Sequence, residues 1–183
     1  IRLQGADNQA TTVAKQNIDW TTQNEYDTGS FTHNTLVNPD QVTLVQAGHY
    51  LVVYSVGIDG SSNRTTITTN AELAGSDVEQ SYDYVYLRNS NSTTEGTATN
   101  MSIIEASALD VLEIEWGATG AVDAYGTDTR SDRTALTIVK LPDSADFLRA
   151  HESTDGQDIG GLNNAITFDT QDEADSGSFS FNT

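Results

Sequence analysis

Between positions 48 and 59 the chain reads GHYLVVYSVGID, and Tyr50, Val52, Tyr54, Val56 and Ile58 recur at every second residue. Successive side chains of a strand point to opposite faces, so this period predicts a strand with one buried side. Gly48 separates it from VTLVQA, which predicts two strands joined by a tight corner. TTITTNAEL (65–73) gathers Ile67, Thr69, Ala71 and Leu73 on one side. YDYVYLRN (82–89) is rich in the aromatic and β-branched residues that favour a pleated surface. DVLEIEW (110–116) alternates again, with Leu112, Ile114 and Trp116 inward and both glutamates outward. RTALTIVKL (133–141) closes the series. Polar loops such as GSSN, NSNSTTEGT and YGTDTRSD lie between. Short strands with turns at this spacing predict an all-β fold, a sandwich or barrel.

One segment reads two ways. SIIEASALDVLEIEW also threads on a helix, because Ile104, Ala108 and Leu112 recur four residues apart. Its β-branched content and the WGATG stop favour strands.

The chain also repeats itself. Residues 18–35, IDWTTQNEYDTGSFTHNT, lie over residues 166–183, ITFDTQDEADSGSFSFNT, with ten of eighteen positions identical. Trp20 meets Phe168, and upstream IRLQ matches LRAH after a one-residue slip. The expected organisation is a complete domain over 1–146 and the N-terminal part of a second homologous repeat over 147–183. Some 35 residues cannot bury a core alone. The second copy is therefore expected to begin another full domain in a longer polypeptide, or else to lend its strands to a neighbouring subunit.

The repeat disposes of an attractive piece of chemistry. DTGS at Asp27 and DSGS at Asp175 have the form that carries the paired aspartates of aspartic proteases. Such a pair shares one proton and works as acid and base, at the end of a buried strand in each of two lobes. Here both motifs follow polar residues, QNEY and QDEA, and occupy the same place in a repeated unit. They read as a turn entering a strand: Asp27 caps it, Gly29 takes an unusual φ and Phe31 packs inward.

Charge narrows the field further. Across 183 residues, 27 Asp and Glu face 8 Lys and Arg, a net charge of −19. Nucleic acid and anionic membranes both attract basic surfaces, so neither is an expected partner. With no cysteine, disulfides and thiolate metal sites are excluded. No apolar run approaches the length of a membrane span, and IRLQGADNQA lacks the basic-then-apolar order of a signal peptide. His33, His49 and His151 show no metal-ligand spacing and read as surface histidines. Asp123, Asp128 and Asp132 in one acidic loop are weak candidates for calcium, which favours oxygen ligands, although a solvated cluster explains them as well. Asn63, Asn91 and Asn100 carry glycosylation sequons at about the frequency this composition gives by chance. No catalytic constellation emerges, and an enzyme is not expected.

The order of motifs resembles a known family. IDW, DTGSF, the Ala47-Gly48-His49-Tyr50 tetrad with its following strand, ALDVLEIEW and RTALTIVKL succeed one another. They do so as in the jelly-roll domains of the complement C-one-q head and the tumour necrosis factor superfamily. The version most similar in flavour occurs in tailed-phage virion proteins. One departure is the missing glycine before Asp110. The resemblance covers roughly residues 1–141 and restarts near 147. It implies an antiparallel double-sheet jelly roll of about ten strands and a threefold homotrimer associating through strand faces. It also implies a non-enzymatic structural role on a virion surface, as capsid decoration or tail fibre. An extracellular filament or adhesin binding a glycan or receptor is the alternative. Most aromatics, including Tyr84 and Tyr86, sit at strand rather than loop positions, with Tyr125 the exception, which favours architecture.

Overall fold

The computed structural model describes residues 1–6, 9, 15–60, 65–87, 94–119, 127–143, 148–151 and 170–174. The chain forms two compact units, residues 1–141 and 142–183. In the first, the strands in chain order are β1 (Arg2–Gly5), β2 (Gln16–Asn17), β3 (Trp20–Glu25), β4 (Phe31–His33), β5 (Val42–Leu44) and β6 (Gly48–Gly60). They continue with β7 (Thr65–Leu73), β8 (Ser76–Asp77), β9 (Asp83–Leu87), β10 (Thr94–Ala106), β11 (Asp110–Thr119) and β12 (Thr127–Lys140). A 3-10 turn, Glu79–Ser81, precedes β9.

These strands make two antiparallel sheets. One has five strands in the order β10-β6-β12-β1-β3. The other has seven, along β4-β5-β11-β7-β8, with β2 paired to β11 and β9 paired to β7. From β5 to β7, and again from β9 to β12, each connection crosses from one sheet to the other. This is an all-β jelly roll.

The period-two residues meet between the sheets. Tyr50, Val52, Tyr54, Val56 and Ile58 from β6 face Ile67 and Ala71 from β7 and Leu112, Ile114 and Trp116 from β11, all buried. Leu136 and Ile138 of β12, with Trp20 and Ile18, belong to the same core. Fully burying a side chain of this size stabilises by roughly 1.5–3 kcal/mol. Phe31 and Tyr50 pack edge to face with ring centroids 6.0 Å apart. Buried hydroxyls need acceptors. Tyr50 donates to the Gln46 carbonyl at 2.6 Å, and Tyr54 donates to the Ser81 carbonyl.

The ambiguous segment is two strands. Leu109 takes φ 72° at the corner between β10 and β11, and the Ser107 N–H donates to Asp110 Oδ2 at 2.7 Å. A helix cannot continue through that left-handed residue. Gly48 likewise turns the chain into β6 with φ 135°, where a side chain would be strained.

In the second unit, β13 (Leu148–His151) pairs antiparallel with β14 (Thr170–Ala174). Arg149, Ala150 and His151 face Glu173, Gln171 and Thr170, with an irregularity after Arg149. In the first unit Arg2, Leu3 and Gln4 face Glu25, Gln23 and Thr22, with an irregularity after Arg2. The sequence repeat is thus matched by the same pairing with its bulge in the same place.

Candidate functional site

The aspartate motif is a turn. Asp27 Oδ1 accepts the Gly29 N–H at 3.0 Å, and Oδ2 accepts the Ser30 hydroxyl at 2.7 Å. The Asp27 carbonyl takes the Phe31 N–H at 3.0 Å, and Phe31 enters the core. The Ser30 and Gly29 hydrogen bonds favour the charged carboxylate and hold Asp27 below its ordinary pKa. One detail differs from expectation. Gly29 does not adopt positive φ, and backbone bonds to the Asp27 carbonyl close the turn together with the side-chain cap. Asp175 lies outside the described residues.

His33 is not a surface residue. It is nearly buried, its Nε2 donates to the Pro39 carbonyl at 3.0 Å, and its Nδ1 lies 3.2 Å from Gln23 Oε1. Those contacts tie β4 to β3 and to the loop at 39. The calcium candidates fall outside what the structure describes: Asp123 lies in the stretch 120–126, and for Asp128 and Asp132 only the β12 backbone is described. Asn63 and Asn91 are outside as well. Asn100 donates its amide to the Gln80 carbonyl at 3.2 Å, so this sequon is tucked against the 3-10 turn.

Chemistry on the described surface concentrates on the outer faces of the two sheets. On the five-stranded sheet, Val53 lies between Met101 and Thr137, and Leu51 between Ile103 and Val139. These rows form an aliphatic stripe across β10, β6 and β12, with Met101 69% and Val139 47% exposed. Beside it opens a cleft of about 260 Å³ lined by Arg2, Gln4, Asn24, Ser55, Arg133 and Ala135. Arg133 Nη1 pairs with Glu95 at 2.9 Å. The cleft follows from a break in the β12–β6 register between Arg130 and Ala135. There the Thr134 hydroxyl accepts the Gly57 N–H at 3.1 Å and replaces a ladder bond.

On the seven-stranded sheet the outer face is polar and crowded with carboxylates. Glu115 of β11 lies opposite Asn70 of β7, and Glu113 opposite Glu72, which itself lies opposite Asp77 of β8. Glu72, Asp77 and Glu115 each bring a carboxylate oxygen within 4.8 Å of the others, a geometry that could hold a cation. Lys15 supplies one, its Nζ 3.0 Å from Glu115 and 3.3 Å from Asp77. The same ammonium stands 5.4 Å from the centre of the Tyr82 ring. Burial opposes the Lys15 charge, yet Glu115 and Asp77 outweigh it and push the amine up to about 12. Tyr82 donates its hydroxyl to Asp77 and, with Lys15, holds that carboxyl below its ordinary range. One ammonium does not neutralise the group. Burial first, then Glu115, Glu113 and Asp77, raises the Glu72 carboxyl.

Beside these carboxylates, β9 and the residue that precedes it present three tyrosines. Tyr82, Tyr84 and Tyr86 are 50%, 72% and 53% exposed, while Leu87 is buried and Val85 packs against the core. Strand position therefore does not make these rings core residues. The alternation in YDYVYL shows that the tyrosines share a face. Which face turns inward is settled by β7, whose buried Ile67 lies opposite Val85.

No protein-family model and no curated protein sequence matches the chain. Solved structures do. Murine APRIL at pH 5.0 superposes with a TM-score of 0.51 at 13% identity, over 76% of this chain and 96% of that one. The pH 8.0 structure gives 0.50 at 12% identity over the same shares. Eiger TNF from S. frugiperda gives 0.47 at 14% identity, over 79% and 93%. In fold, then, the chain is a jelly roll like that of murine APRIL.

Proposed function

We propose that the chain is a non-enzymatic structural module that self-associates about a threefold axis through the outer face of its five-stranded sheet. The observation that carries this reading is the aliphatic stripe of Leu51, Val53, Met101, Ile103 and Val139. A patch of this kind, bordered by polar groups, has the composition of an interface centre. The setting that suits it is an assembly on a virion surface, as a capsid decoration or fibre, or an extracellular filament. The repeated opening hairpin supports such a role, because tandem units with a self-complementary face build extended assemblies. On this reading residues 147–183 open a second copy of the module.

Sedimentation velocity at micromolar concentration and moderate salt tests the association. A trimer is expected for the native chain, and a monomer for Met101→Glu/Val139→Glu, with the melting temperature of the protomer core retained. A native monomer would overturn the proposal. Antibody labelling of the native assembly in micrographs tests the setting.

A further inference from the structure

We propose that the outer face of the seven-stranded sheet is a docking surface for an extended, Lys- or Arg-bearing segment of a partner protein, seated along Tyr82, Tyr84 and Tyr86. This goes beyond self-association and uses the opposite side of the domain. The chain already shows the chemistry once. Lys15 lies with its ammonium 5.4 Å from the Tyr82 ring centre and within 3.0–3.3 Å of Glu115 and Asp77. A cation within about 6 Å of an aromatic face is attracted by the ring quadrupole. Tyr84 and Tyr86 continue the row beyond Tyr82, and among the described residues neither ring has a cation over it.

Geometry and charge select the occupant. Alternate residues of a strand stand about 6.6–6.8 Å apart, which is also the spacing of alternate side chains in an extended peptide. A peptide with a cation at every second position therefore meets one tyrosine per cation. The floor beside the rings is low: Thr66 and Thr68 lie opposite Tyr86 and Tyr84, and Gly117 lies next to Thr68. Adjoining it, Glu72, Asp77, Glu113 and Glu115 face one ammonium, leaving three carboxylates in excess if all four are ionised. The raised Glu72 carboxyl agrees with that excess. A neutral oligosaccharide would stack on the rings and leave this charge unanswered. A second copy docking through the same face would set these carboxylates against their own equivalents.

Fluorescence titration with a short synthetic peptide carrying arginine at alternate positions tests the proposal, with Tyr84→Ala/Tyr86→Ala as the variant. That variant keeps the net charge, so diffuse attraction of a polycation to an acidic protein is unchanged in it. The expected result is saturable binding that weakens about five- to thirtyfold in the variant, the loss two exposed cation–π contacts represent. If the alanine variant melts early, Tyr84→Leu/Tyr86→Leu keeps apolar bulk on β9 and carries the same test. Equal peptide binding by native and variant chains overturns the proposal. So does tyrosine-dependent binding of a neutral oligosaccharide without peptide binding. So does a native oligomer that dissociates on these substitutions, which would assign the face to a second copy.

Discussion

Gly5 sits where β1 passes the Thr134 side chain of β12. A Cβ at that position would stand 2.4 Å from Thr134 Cγ2 and 3.1 Å from Thr134 Cβ. Thr134 has little room to retreat, because it is fully buried and its hydroxyl holds the Gly57 N–H within the broken register. Gly5→Ala is expected to lower stability by about 1–3 kcal/mol, the cost of overpacking a filled core. Urea denaturation measures it. Thr134→Ser removes Cγ2 and keeps the hydroxyl, so adding it to Gly5→Ala should restore part of the loss. No recovery would place the cause elsewhere. Nothing in the sequence marks Gly5, since its partner lies 129 residues away and reaches it through pairing of β1 with β12.

At the scale of elements, β7, β8 and β11 bring together carboxylates with opposite pH behaviour. Glu72 stands above its ordinary 4.5 because burial, then Glu115, Glu113 and Asp77, oppose its charge. A raised folded pKa means the folded state binds the proton more tightly than the unfolded chain. That contribution is full below 4.5 and is lost as pH rises through the folded value. Asp77 stands below its ordinary 3.8, so its contribution is present above 3.8 and is lost as pH falls. Glu72→Gln is therefore expected to raise the melting temperature at about pH 7, with the gain shrinking toward about pH 4.5. Thermal melts at the two pH values check it, and an equal gain at both would contradict the linkage. The strands themselves are legible from alternation, as in LEIEW, because burying one face imposes a period of two. Their meeting is not: Glu72 and Asp77 share the tight β7–β8 hairpin, but Glu115 joins them only through the pairing of β11 with β7.

For the whole molecule the governing quantity is a net charge of −19. Self-repulsion between like charges destabilises a compact state and is screened by salt, whose Debye length falls from about 30 Å at 0.01 M to about 10 Å at 0.1 M. The melting temperature is expected to rise across that range, and trimer formation to strengthen with it, since copies of one sign must approach. Calorimetry and sedimentation at the two ionic strengths read both effects. A melting temperature that does not move would show that repulsion among the acidic groups does not weaken the fold.

The amino-acid order by itself determined the all-β architecture, the inward rows of β6, β7 and β11, the turn at Asp27 and the repeat of the opening segment. Each of these is local: a period of two, a short polar turn or a stretch compared with itself. Tertiary structure decided what depends on which strands become neighbours. It turned Tyr84 and Tyr86 outward because Val85 and Leu87 pack inward, and it buried His33 between Gln23 and Pro39. It also set Lys15 between Asp77 and Glu115, 62 and 100 residues away. A half-apolar strand such as β9 has two faces of similar hydrophobicity, so alternation shows which residues share a side but only the opposing sheet selects the side that is buried.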